Sequence, residues 1–197
     1  KGRARSSASD YTAAYMEWLS HIDPILAQHQ ITNSGNIILY QIENEYTYGT
    51  LDTTYMQQIE NKVRADGITV PLDHNDASLR STWAPGTGTG AVDLYGFDSY
   101  PQGFNCSNPT HWSGVPQFET NARQASPRTP IFIAEFQGGS FDPWGGPGYS
   151  KCQQLTGPDF VNVFYKTLLS EGVTMLNSYM TYGGTSWGWL PEPTVYS

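Results

Sequence analysis

Charge is what this sequence has least of. Asp, Glu, Lys and Arg make up 14% of its 197 residues, and acidic groups outnumber basic ones by 18 to 10, for a net charge of −8. A body so charged repels phosphate backbones, which excludes nucleic acid as a partner. Lys1, Arg3 and Arg5 crowd the start of the chain, where the expectation is a frayed terminus rather than a membrane or polyanion patch. Long apolar runs are also missing: no stretch of eighteen exists, so no membrane partner or spanning helix is expected. The chain opens with neither Met nor an apolar leader, which fits a fragment. Histidine is scarce, and His21, His29, His74 and His111 show no ligand spacing. Two cysteines cannot complete a zinc site alone, so no metal and no cofactor is expected. The run "GTGTG" (86–90) precedes no helix and has no Lys after it, which reads as a flexible loop rather than a phosphate cradle.

Those two cysteines, in "GFNCSNP" and "YSKCQQL", lie in polar, Gly- and Pro-rich stretches. Free structural thiols prefer apolar surroundings, so a Cys106–Cys152 disulfide is the better reading. It would be worth about 4 kcal/mol by restricting the unfolded chain and would place the protein in an oxidising, extracellular setting. Asn105-Cys106-Ser107 also satisfies the N-glycosylation pattern.

What is plentiful is Gly (20), Pro (13) and Tyr (13), the composition of a loop-rich globular fold with many aromatic surfaces. Residues 9–29 read as a helix capped by Ser9. Its apolar stripe is Tyr15, Trp18, Leu19, Ile22, Ile25 and Leu26, with a kink or restart at Pro24. A strand over 36–42 follows, then a helix from about Asp52 to Ala65 with Leu51, Tyr55, Ile59 and Val63 in one stripe, stopping at Gly67. Further strands are expected over 68–72, 92–97, 130–136 and 173–180, and helices near 115–125 and over 158–170. Continuous apolar strands alternating with helices signal a parallel sheet covered by helices, an α/β fold. In such folds chemistry gathers at the C-terminal strand ends. Glu43 and Glu45 follow the first strand here, Asp98 and Tyr100 the third, Glu135 the fourth, and Tyr179 and Tyr182 the fifth.

An uncompensated buried carboxylate is costly, so "QIENEY" and "FIAEFQGG" need an account. Their spacing, about ninety residues, leaves room for three strand–helix units of about thirty each. Two carboxylates converging on a pocket rich in Tyr, Trp and Asn suit glycoside hydrolysis, one protonating the leaving oxygen and the other attacking the anomeric carbon. The alternative is that each glutamate forms an ion pair at a strand end. In a regular strand Glu43 and Glu45 would share a face, where one charge raises the other's pKa; a solvated or hydrogen-bonded rim role is the other reading of Glu43. Trp144 and Trp187 are candidates either for stacking on a sugar or for pinning a loop.

At this point four segments in order, "GNIILYQIENEYTYG", "DLYGFDSYPQGFNC", "PIFIAEFQGGSFDPWGG" and "LNSYMTYGGTSWG", together resemble glycoside hydrolase family 35, the β-galactosidases, and in particular its large fungal-type enzymes. The similarity runs through nearly all of the chain. It implies a (β/α)₈ barrel, with residues 1–197 forming a partial catalytic domain covering roughly strands 4 to 8. It also implies retaining hydrolysis of terminal β-D-galactosyl residues. By the match, Glu45 is the acid/base and Glu135 the nucleophile, and retention requires their carboxyls about 5–5.5 Å apart. Asn44 falls on the position that binds the sugar 2-OH. Tyr100 and Tyr179 fall on tyrosines lining the galactose site, with Tyr179 a candidate donor to the nucleophile. Cys106 and Cys152 match a family disulfide. The implied whole protein is secreted and monomeric, acts on a β-galactoside oligo- or polysaccharide, and carries further β-rich domains; the piece by itself is expected to be inactive. Two other readings stay open: a glycosidase of the same barrel clan with another sugar preference, and a non-catalytic sugar-binding fragment.

Overall fold

The computed structural model describes residues 2–142 and 145–182. Contacts divide the chain into two compact units, residues 1–96 with 125–129, and residues 97–124 with 130–197. The first contains helix α1 (Ser9–Gln28), a 3₁₀ turn (Ile31–Asn33), strand β1 (Tyr40–Asn44), helix α2 (Thr53–Ala65) and strand β2 (Leu72–Asp76). Strand β3 (Leu94–Ser99) crosses the boundary. Helix α3 (Phe118–Ala125) ends at it, and the second unit continues with β4 (Ile131–Gln137), α4 (Tyr149–Leu155), α5 (Pro158–Ser170) and β5 (Val173–Tyr179). The strands form a sheet in the order β1-β2-β3-β4-β5, with β1–β2 and β4–β5 parallel. A strand order that follows chain order without reversal is the winding of a barrel sheet; doubly wound sheets reverse at a switch point.

Helix α2 forms as its pattern dictates. The Asp52 side chain accepts the Tyr55 N–H (3.1 Å) as N-cap. Tyr55, Met56, Ile59 and Val63 are buried among Ile42, Leu72 and Trp83. Gly67, at φ +98°, takes the left-handed turn that ends the helix. Asp52 also receives the Ser7 N–H and hydroxyl, both at 2.8 Å. That bond contradicts the frayed N-terminus expected from composition, as do the contacts of Arg5 described below. In the second unit, Phe118, Phe136, Phe160 and Phe164 form an aromatic core, with Phe160 and Phe164 centroids 4.6 Å apart.

Several sequence readings need correction. Helix α1 runs through Pro24 as one element and begins after Ala8 with no side-chain cap from Ser9. Its only fully buried residue is Asp23, which accepts the Tyr40 hydroxyl at 2.5 Å, while Trp18 and Ile25 of the expected stripe are exposed. Strand β1 begins at Tyr40 rather than at 36, leaving Ile38 more than half exposed. The segment 68–71 is not a strand although Ile68 and Val70 are buried. The Gln30 carboxamide binds it instead, accepting from Thr69 N (2.6 Å) and Val70 N (3.0 Å) and donating to Gly67 O (2.9 Å). Pro71 follows and has no N–H for a ladder. The strand proper is Leu72–Asp76, four of whose five residues are polar and all buried. Cys152 lies in α4, a helix the sequence reading missed.

Candidate active site

Four consecutive residues at the end of β1 carry the question raised by "QIENEY". The β1–β2 register skips one residue between Gln41 and Glu43, a β-bulge at Ile42. Three residues later Glu45 adopts φ +50°, a left-handed conformation costly for a side chain of its kind. Glu43 and Glu45 therefore do not continue one regular strand face. Glu43 is consumed by structural bonds. Arg5 grips it with both prongs, Nε to Oε1 at 2.8 Å and Nη2 to Oε2 at 2.6 Å, the Tyr55 hydroxyl donates to Oε1 at 2.9 Å, and Asn44 N–H donates to Oε2 at 2.7 Å. Burial together with this anion pushes the Tyr55 hydroxyl's pKa up, and the Glu43 hydrogen bond raises that of Arg5.

The turn after Glu43 is held by its surroundings at nearly every polar atom. Glu45 N–H donates to Asn75 O (3.0 Å), Tyr46 N–H to His74 Nε2 (3.1 Å) and Thr47 N–H to Glu45 O (2.9 Å), while Trp83 Nε1–H donates to Tyr46 O (2.7 Å). The Tyr46 ring stacks on Trp83 at 5.7 Å and 6°. Below lies a polar cluster that hydropathy could not reveal. Asp76 accepts from Thr47 Oγ1 (2.9 Å), Tyr95 OH (2.7 Å) and Thr82 N (3.0 Å). Burial lowers the His74 pKa to about 4, which keeps Nε2 an acceptor. Asn44 is exposed, its Oδ1 accepting from Gln41 Nε2 at 3.3 Å, and Gln41 donates also to Asn75 Oδ1 at 2.8 Å.

In the second unit, Glu135 lies on β4 and receives the Tyr100 hydroxyl on Oε2 at 2.6 Å. The buried Asp98, one turn of pleat before Tyr100, brings a carboxylate oxygen within 4.8 Å of one of Glu135. Tyr179 ends β5 with its ring edge-on to Tyr100 (6.5 Å, 76°). Tyr100, one of the tyrosines expected to line a sugar, thus has its hydroxyl on the Glu135 carboxylate. Gln137, which sequence reading passed over, is fully buried and ties the Tyr100 loop to β4: its Oε1 accepts from Gln102 N (3.0 Å) and its Nε2 donates to Gly103 O (2.8 Å). Gly138 is required beside it, since a Cβ there would stand 2.5 Å from Ser178 Oγ. Cys106 and Cys152 are disulfide-bonded, joining the loop after β3 to α4. Asn105 is exposed. Trp144 and Trp187 lie outside the described residues. Among the described residues no helix is long and apolar enough to cross a membrane.

The family model described as glycosyl hydrolases family 35 matches residues 1–197. A β-galactosidase A of Aspergillus niger is 50% identical over 204 residues, an alignment covering 100% of this chain and 20% of that protein. A β-galactosidase A of Penicillium is 49% identical with the same coverage. The chain thus spans about a fifth of the length of these relatives. Among solved structures, an FMN-binding β-glucuronidase from Facaelibacterium prausnitzii L2-6 aligns with TM-score 0.57 at 12% identity, over 98% of this chain and 30% of that one. A β-D-glucuronidase from Dictyoglomus thermophilum aligns with TM-score 0.55 at 16% identity, over 95% and 32%. At such identities the likeness is one of fold, that of the (β/α)₈-barrel clan.

Proposed function

Since the chain belongs to glycosyl hydrolase family 35, we propose that it is part of the catalytic barrel domain of a secreted, retaining β-galactosidase, with Glu45 as acid/base and Glu135 as nucleophile. The ionised Glu135 attacks the anomeric carbon of a terminal β-galactosyl unit while Glu45 gives its proton to the departing oxygen. The glycosyl-enzyme is then opened by a water that Glu45 deprotonates. Asn44 binds the 2-OH, whose hydrogen bond strengthens as positive charge develops on the ring. Tyr100, donating to Glu135, orients its carboxylate, and Tyr179 lines the same pocket.

What supports this assignment best is the different fate of the two neighbouring glutamates. Glu43 is bonded to Arg5, Tyr55 and its own backbone, so it is a poor candidate for proton transfer. Glu45 instead sits in a strained turn that neighbouring groups over-determine, which is how a reactive side chain is pre-organised. The substrate is a β-galactoside, as the names of the fungal relatives suggest for their own case.

The test is made in the full-length protein. Glu135→Gln and Glu45→Ala should each lower turnover of an aryl β-galactoside by at least about a thousandfold. Azide should restore part of the Glu45→Ala loss on an activated substrate by replacing the deprotonated water, and should restore nothing in Glu135→Gln. Full activity in either variant, or equal hydrolysis of the matching glucoside by the wild type, would overturn the respective part of the reading.

A further inference from the structure

We propose that Arg5 is a positioning residue for the acid/base at Glu45, acting through the backbone on either side of it; the inference rests on the role just given to Glu45. Besides its two bonds to Glu43, Arg5 Nη2 donates to Asn44 O at 2.6 Å, its guanidinium lies 4.9 Å from the Tyr46 ring centroid, and its own carbonyl accepts the Tyr46 hydroxyl at 2.9 Å. Asn44 O belongs to the peptide that joins Asn44 to Glu45. The N–H of that same peptide is bonded to Asn75 O at 3.0 Å. On the other side, the Glu45–Tyr46 peptide is held through its carbonyl by Thr47 N (2.9 Å) and through its N–H by His74 Nε2 (3.1 Å).

Both peptide planes flanking Glu45 are therefore fixed at both ends, and with them the direction of its Cα–Cβ bond. A residue in the left-handed region relaxes if its tethers are cut. Two of the four tethers are backbone to backbone. His74 is fully buried, so removing it opens the core. Arg5 is the one whose side chain is substantially exposed, 42% accessible against 10% for Glu43, and can be replaced without making a cavity. As a partner of Glu43 alone it would matter to stability; as a tether on the Asn44–Glu45 peptide it matters to chemistry, where a displacement of about 1 Å costs about a hundredfold.

A misplaced general acid has a signature that a structural defect lacks. Leaving groups that depart as stable anions need no proton, so a poor acid harms only the others. In the full-length protein, kcat/KM is measured for β-galactosides with leaving groups from dinitrophenol to phenol, for wild type, Arg5→Gln, Arg5→Lys and Glu45→Ala. Arg5→Gln is expected to lose about thirtyfold on the phenyl galactoside and less than about threefold on the dinitrophenyl one. Arg5→Lys, which keeps the charge but loses the planar fork, should fall between; should the Gln variant fail to fold, Lys carries the test. A uniform loss along the series, or none on the phenyl galactoside, overturns the positioning role if Glu45→Ala shows the steep dependence. If Glu45→Ala itself is uniform, the acid assignment falls, and this inference with it.

Discussion

At Glu135 a phenol stands on the carboxylate. Tyr100 donates to Oε2 at 2.6 Å, and its ring is kept in place by Phe104, 5.3 Å away, and by Tyr179. Replacing Tyr100 by Phe keeps that ring packing and removes only the hydroxyl. The expected result is a fall in kcat of about tenfold to a hundredfold with little change in KM, because a donor fixing a nucleophile's orientation acts on the transition state more than on binding. Steady-state kinetics on the full-length protein checks it. An increase in KM alone would move Tyr100 from orienting Glu135 to binding the sugar. The same scale explains Glu43, whose carboxylate is as prominent in the sequence as Glu45's yet is engaged by three neighbours.

Among the elements β2 is the unusual one, a fully buried strand reading Leu-Asp-His-Asn-Asp. Two of its groups respond to pH in opposite senses. Burial raises the Asp73 pKa to about 6. Its folded value lies above its unfolded value, so its contribution to stability is complete below pH ~4 and is lost as pH rises through about 6. Burial lowers His74 to about 4. Its folded value lies below its unfolded value, so its contribution is present above pH ~6.5 and is lost as pH falls through about 4. Asp73→Asn removes the first effect without removing volume. At pH 7 the variant should be more stable than wild type by on the order of 2 kcal/mol, with the gain vanishing by pH 4. Thermal melts across this range decide it, and a stability loss at pH 7 would show that the charged Asp73 has a favourable partner.

On the scale of the whole molecule, the Cys106–Cys152 link closes 46 residues of separation within the second unit. Chain-entropy arguments make it worth about 4 kcal/mol. Replacing both cysteines by Ala should lower the melting temperature of the full-length protein, and reductant should do the same to the wild type while leaving the double variant unchanged. Equal sensitivity of both to reductant would mean that another disulfide dominates. The loop tied by this bond also contains the Gln102 backbone that Gln137 holds, so the variant should lose activity at temperatures where it is still largely folded.

Much of this protein was readable without coordinates. Elements α2, β4 and α5 came out within a residue or two because apolar periodicity, an Asp cap and a stopping Gly all act within a few residues of chain. The motifs around Glu45, Tyr100, Glu135 and Tyr179 carried the family for the same reason: chemistry there depends on short runs of specific side chains. What the sequence could not contain was anything settled by distant partners. Strand β2 was misplaced by four residues because it buries polar side chains, among them Asp76, which is satisfied by Thr47, Thr82 and Tyr95, partners that hydropathy does not see. The first residues of the strand expected over 68–72 instead donate hydrogen bonds to Gln30, some forty residues earlier. Local pattern determined elements such as α2, β4 and α5 and the motifs that mark the family. Only the tertiary structure decided that Arg5 neutralises Glu43 and that Glu45 is left in a pinned, left-handed turn, because a carboxylate's role depends on what folding brings within about 3 Å of it.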